Sequence, residues 1–321
     1  RDSISDQGLS FDENNGLIGD LYVEDKAIWI GEVRSYSATS LQDLYGDSGP
    51  GITPIEKRTL PKESGLYRHP NNSEKEAVLA VIDIIYGGLS SPEIELRAIT
   101  LAKSAGYELV RLQMASGANY IVLQPEGFAA GNFKNNPGFG LFIFNPVGDK
   151  DIVLEAPHPR FDRRSTDLAL VSLEKLPAFA LLIAGADRRA NLSPDSPKLK
   201  GEHISDFNGD ISDMAFTSNT RSLFHQIHVR LTTLILDDGS KPFVYQFHSF
   251  GIKNDGNEWP DFVLSNGDKY QAWELQEFTL LKTELQLKGY KAEVYTTQQP
   301  YLKELSASHN PQGVQTRNAG G

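Results

Sequence analysis

The chain has 321 residues, a formal net charge of -11 and no cysteine. The lack of cysteine excludes disulfides, thiolate zinc sites, iron–sulfur clusters and a cysteine nucleophile. The 42 acidic residues outnumber the 31 basic ones, which argues against nucleic acid, whose binders gain affinity by neutralising phosphates. An apolar share of 39% and a mean hydropathy of -0.36 suit a soluble globular protein, and no apolar run approaches the roughly 20 residues needed to span a bilayer.

Residues 1–72 read as a loop-rich N-terminal extension. Short apolar stretches at 21–23 and 27–30 flank the turn-like Glu24-Asp25-Lys26 and predict a hairpin. Residues 46–72 hold Gly, Pro and Ser without periodicity and read as a long loop. The first residue is Arg1, not Met. Removal of a leader is the expectation drawn from this, with a periplasmic or secreted location.

From residue 73 to 321 the pattern is that of one α/β domain. Ser73-Glu74-Lys75-Glu76 has the form of a capping box and predicts a helix running to Gly87-Gly88. Ser91-Pro92 opens a second helix, which Gly106 stops. Strands are predicted at 107–113, 120–124, 141–145 and 152–155, with a Gly- and Asn-rich surface loop at 127–140. A helix at 166–176, a buried strand at 179–183, a helix at 220–234, a strand at 243–247, a helix at 270–288 and a strand at 293–295 follow. This alternation predicts a mostly parallel or mixed sheet flanked by helices. The continuous apolar strands 152–155, 179–183 and 243–247 should be neighbours, buried on both faces.

Ligands of an open α/β sheet bind beyond the carboxyl ends of its strands. Two segments place metal-ligand chemistry there. One strand runs out into Pro157-His158-Pro159-Arg160-Phe161-Asp162, the other into His248-Ser249-Phe250. Two imidazoles and one carboxylate are a usual protein ligand set of catalytic zinc, with ligating atoms about 2.0–2.2 Å from the ion.

Other features carry less. His203 lies in a polar stretch, and His69 and His309 lie in loops. His225 and His228 are neighbours on a helix face, but no acid stands beside them in sequence. Residues 206–210 begin like a calcium loop, yet Ile211 and Thr217 replace the glycine and glutamate that such a loop requires. No Gly-x-Ser-x-Gly elbow is present.

The pairing of His158 and Asp162 with a later strand ending in His248-Ser249 resembles the zinc carboxypeptidase pattern. Over residues 107–318 the chain is similar to the wider metallohydrolase group that includes N-formylglutamate amidohydrolase-like and polyglutamate hydrolase-like proteins. The spacing here is His-x-x-x-Asp where that family has His-x-x-Glu, and no glutamate near the C-terminus matches the family's general base. The resemblance implies a phosphorylase/hydrolase-like α/β scaffold and Zn2+ held by His158, Asp162 and His248. It also implies hydrolysis of an amide or peptide bond in a small-molecule or peptide substrate. Arg188, Arg189 and Arg317 would meet a substrate carboxylate or the oxyanion. The alternative is an inactive protein on the same scaffold that binds a ligand or partner without turnover.

Overall fold

The structure is a computed structural model, and it describes residues 11–12, 16–18, 32–36, 40–46, 59–126, 137–162, 164–191, 220–251, 257–267, 276–305 and 310–318. The expected 21–30 hairpin, His203, the 206–210 loop and His309 lie outside them.

The strands are β1 (Phe11–Asp12), β2 (Gly16–Ile18), β3 (Glu32–Tyr36), β4 (Tyr107–Met114), β5 (Asn119–Pro125), β6 (Leu141–Phe144), β7 (Asp149–Ala156), β8 (Ala178–Ile183) and β9 (Phe243–Gln246). They form one sheet in the order β1-β2-β3-β4-β5-β6-β8-β7-β9. β3 pairs with β4 in parallel, β4, β5, β6 and β8 are antiparallel in turn, and β8, β7 and β9 are parallel. The fold is therefore α/β on a mixed sheet.

Alternation along the strands builds a core on each face, because successive side chains point to opposite sides. Ile121, Leu123, Phe142, Phe144 and Val153 meet one set of helices: α2 (Asn72–Gly87), α3 (Pro92–Ser104) and α5 (Leu223–Asp237). Tyr120, Val122, Leu141, Ile143 and Leu154 meet the other set, α1 (Leu41–Tyr45) and α4 (Ser165–Lys175). A second, two-stranded parallel sheet joins β10 (Phe262–Leu264) to β11 (Ala292–Val294), with α6 (Gln276–Leu287) between them in sequence. It has its own small core of Trp259, Tyr295 and Leu302. A 3-10 helix (Pro300–Leu305) and α7 (Pro311–Asn318) end the described chain.

Two local expectations are corrected. The capping box of α2 is Asn71 with Glu74, not Ser73 with Glu76: the Asn71 side chain accepts from the Glu74 amide, and Glu74 returns the bond to the Asn71 amide. The helix thus starts two residues earlier than a Ser73 cap would set it, since an asparagine supplies the capping oxygen as well as a serine does. Strand β9 is next to β7 as expected, but it is not buried on both faces. Among the described residues it is the sheet edge, and Phe243 and Tyr245 are 50% and 38% exposed. A short apolar run does not say whether a strand has one neighbour or two.

Part of the chain before residue 73 shares this framework. β3 extends the sheet, α1 contributes buried Leu41, Leu44 and Tyr45, and Leu60 is fully buried in the first core. Leu60 also bridges Ala186, giving its amide to the Gly185 carbonyl and accepting from the Asp187 amide.

Candidate metal centre

The two loops that carry candidate ligands leave adjacent parallel strands at the same level. Glu155 of β7 pairs in register with Gln246 of β9, and the Phe247 amide extends the ladder to the Glu155 carbonyl. His158 and His248 therefore emerge at one sheet edge. Beyond β7 the chain makes a single helical turn. The Asp162 amide donates to the His158 carbonyl at 2.9 Å, and Ser165 Oγ donates to the Asp162 carbonyl at 2.8 Å. Residues four apart on such a turn lie on one side, so the His-x-x-x-Asp spacing brings ring and carboxylate together.

The outcome is a compact cluster. Ligand-type atoms of His158, Asp162 and His248 lie within 4.8 Å of one another. One oxygen, Asp162 Oδ2, is 3.2 Å from His158 Nδ1 and 2.9 Å from His248 Nδ1. The two rings are 5.0 Å apart, centre to centre. His158 and Asp162 are buried, whereas His248 is exposed and opens the cluster to solvent. Burial alone raises the Asp162 carboxyl pKa. Hydrogen bonds from His158 and His248 and their charge outweigh it and hold the carboxyl well below the usual carboxylate range. A carboxylate that stays ionised in a buried site, faced by two imidazole nitrogens, is a donor set that could hold a divalent cation. Nitrogen and oxygen donors of this kind suit zinc among other metals.

The loop after β8 carries the candidate arginines. The guanidinium carbons of Arg188 and Arg189 lie 4.9 and 4.8 Å from the centre of the Phe161 ring. Phe161 adjoins Asp162, so both cations stand beside the ligand-bearing turn. The loop's course depends on close backbone approach at Gly185, where a Cβ would sit 2.4 Å from the Gly140 nitrogen. The earlier segment supports both loops: Glu63 and Gly65 amides donate to the Arg189 and Ala190 carbonyls, and Arg160 donates to the Thr59 carbonyl at 3.1 Å. Arg317 falls within α7, and its side chain lies outside the described ones.

Behind the cluster is a second imidazole–carboxylate pair. Glu155, wholly buried on β7, accepts from His228 Nδ1 of α5 at 2.8 Å and from Gln246 Nε2 at 2.9 Å. Gln246 Oε1 in turn lies 2.6 Å from His248 Nε2 and accepts from Asn310 Nδ2. His225 stacks 5.9 Å from His228, and its Nδ1 is buried without a hydrogen-bond partner. Burial and the neighbouring His228 charge lower its pKa from 6.5 to about 4, against an upward pull from Glu155. The sequence alone singles out neither Glu155 nor Gln246, and it pairs His228 only with His225. The available signal was Glu155 itself, a carboxylate in the apolar run Ile152-Val153-Leu154-Glu155-Ala156. A buried carboxylate in such a strand must have a partner.

Among the described residues no helix is long and apolar enough to cross a membrane. No protein-family model, curated protein or solved structure matches this chain.

Proposed function

We propose that the protein is a zinc-dependent hydrolase that cleaves an amide or peptide bond in a carboxylate-bearing substrate. The observation that carries this reading is the His158–Asp162–His248 cluster. It is a two-imidazole, one-carboxylate donor set at the carboxyl edge of the sheet, open to solvent on the His248 side. Such a set leaves room for water and substrate at the ion. His158, Asp162 and His248 would hold the ion, which when bound would supply Lewis-acid polarisation of a scissile carbonyl and a water made reactive near neutral pH.

The chain's own residues do the rest. Asp162 supplies the negative charge of the site and stays ionised. Arg188 and Arg189, whose guanidinium groups lie over the Phe161 ring, would meet a substrate carboxylate, which such groups bind in a planar, paired geometry. Arg317 is a third candidate for the same role.

A second reading, binding without turnover, has one observation in its favour. Among the described residues the cluster holds a single carboxylate, and the nearby Glu155 is occupied by His228 and Gln246. Glu155 is therefore not placed to shuttle a proton, as hydrolysis requires of some group. The test is elemental analysis of the purified chain, followed by assay of N-acyl amino acids with zinc added. Turnover that His248→Ala removes supports the hydrolase. Stoichiometric zinc with no turnover of any acyl amino acid or short peptide supports the binding protein, and a chain that takes no zinc ends the hydrolase reading.

A further inference from the structure

The hydrogen bonds behind the cluster run in a fixed direction. Asn310 immediately precedes α7, and its Oδ1 accepts from the Gln312 amide at 2.9 Å. A backbone N–H only donates, so this contact identifies the oxygen of the Asn310 amide. Its Nδ2 then points the other way and donates to Gln246 Oε1. On its far side Gln246 gives Nε2 to Glu155 Oε2 at 2.9 Å, and the other Glu155 oxygen is taken by His228 at 2.8 Å. Both ends of the Gln246 amide are thus assigned by independent partners, and they agree.

That orientation determines what His248 does. Its Nε2 lies 2.6 Å from Gln246 Oε1, an atom that only accepts. His248 Nε2 therefore carries a hydrogen. Nδ1, 2.9 Å from Asp162 Oδ2, is the nitrogen turned toward the cluster; facing an ionised carboxylate it also carries a hydrogen and donates, and a bound cation would take that hydrogen's place. In metal sites the bond made by one ring nitrogen sets which nitrogen meets the ion and how the ring is aimed. The effect matters here because His248 is the exposed member of the three, and packing alone does not hold its ring.

We propose that Gln246 and Asn310 are positioning residues: they fix His248 as the Nε2–H form and so present Nδ1 to the cation. The proposal rests on the metal reading for its purpose but not for its geometry, and the two can fail separately.

The experiment uses the full chain labelled with 15N. Long-range proton–nitrogen spectra of the histidine rings are recorded with and without zinc, alongside a competition titration of zinc affinity. The wild type should show His248 protonated at Nε2 in both states, with zinc displacing the Nδ1 hydrogen. Gln246→Leu should lose the fixed Nε2–H signal and weaken zinc binding about 10–100-fold. Asn310→Asp keeps the oxygen that accepts from Gln312 but removes the donor to Gln246. It should shift the pattern in the same direction by a smaller amount, and serves if Gln246→Leu folds poorly. A nitrogen pattern unchanged in both variants overturns the proposal, even if their thermal midpoints fall. Zinc bound through His248 Nε2 overturns it too, while leaving the metal reading intact. If the wild type takes no zinc but its Nε2–H signal depends on Gln246, the positioning role stands and the metal reading falls.

Discussion

Two imidazole–carboxylate pairs lie one glutamine apart, and they are built differently. In the inner pair, Glu155 and His228 are both wholly buried, and each Glu155 oxygen has its own donor. In the outer cluster one oxygen of Asp162 is faced by two rings, and one of those rings is exposed. The inner pair is a closed account of donors and acceptors. The outer one converges nitrogen and oxygen atoms on a point that solvent reaches. The same residue types thus give a structural tie in one place and a candidate ion site in the other, and the difference is whether the hydrogen-bonding capacity is used up internally.

That contrast can be broken from the inner side first. His228→Leu leaves the Glu155 charge buried with only Gln246 to answer it. Removing one partner of a buried pair costs about 3–5 kcal/mol, so chemical denaturation should show a loss of that order. A loss under about 1 kcal/mol would mean that Glu155 reaches water, and the inner pair would not be the tie described. From the outer side, His248→Ala should weaken zinc binding by more than about 100-fold, or about 2.7 kcal/mol, with a far smaller loss of stability because the residue is exposed. His225→Gln should leave zinc affinity nearly unchanged. Equal effects of the two variants on zinc would erase the distinction between the regions.

The third test is pH. His225 has its pKa lowered from 6.5 to about 4 in the folded chain. The unfolded chain therefore takes up a proton first as pH falls, and stability drops between pH 6.5 and 4. The drop should be on the order of 2 kcal/mol by pH 5, and His225→Gln should flatten that part of the profile. Asp162 is shifted in the same direction, a depressed carboxyl, but titrates in stronger acid. Its contribution is present above the ordinary carboxylate pKa and is lost only in stronger acid, as pH falls through the folded value. An unchanged slope from pH 6.5 to 4 in His225→Gln would remove the buried histidine as its cause.

Much of the outer cluster was legible in the sequence, and almost none of the inner pair. His158 and His248 each follow an apolar strand, and parallel neighbours deliver their loops to the same edge. Asp162 needed one further element, the helical turn from His158, to explain why a four-residue spacing works. Glu155, His228, Gln246 and Asn310 come from a strand, a helix, an edge strand and a helix start. Glu155 and His228 are 73 positions apart, Glu155 and Gln246 91, and Gln246 and Asn310 64. No local pattern links residues at such separations. The same limit appears in β9, whose apolar sequence looked doubly buried but which, among the described residues, has β7 alone as its neighbour.

The sequence by itself determined the α/β alternation, the alternating core positions of the strands and the presence of imidazole and carboxylate at two strand ends. These follow from local periodicity and from which residues tolerate burial. Only the tertiary structure decided the strand order, which makes β9 an edge and brings its glutamine into register with Glu155. It also decided which carboxylate is sealed and which is shared. Both are questions of how many donors surround each oxygen, and that number exists only once distant segments of the chain are packed together.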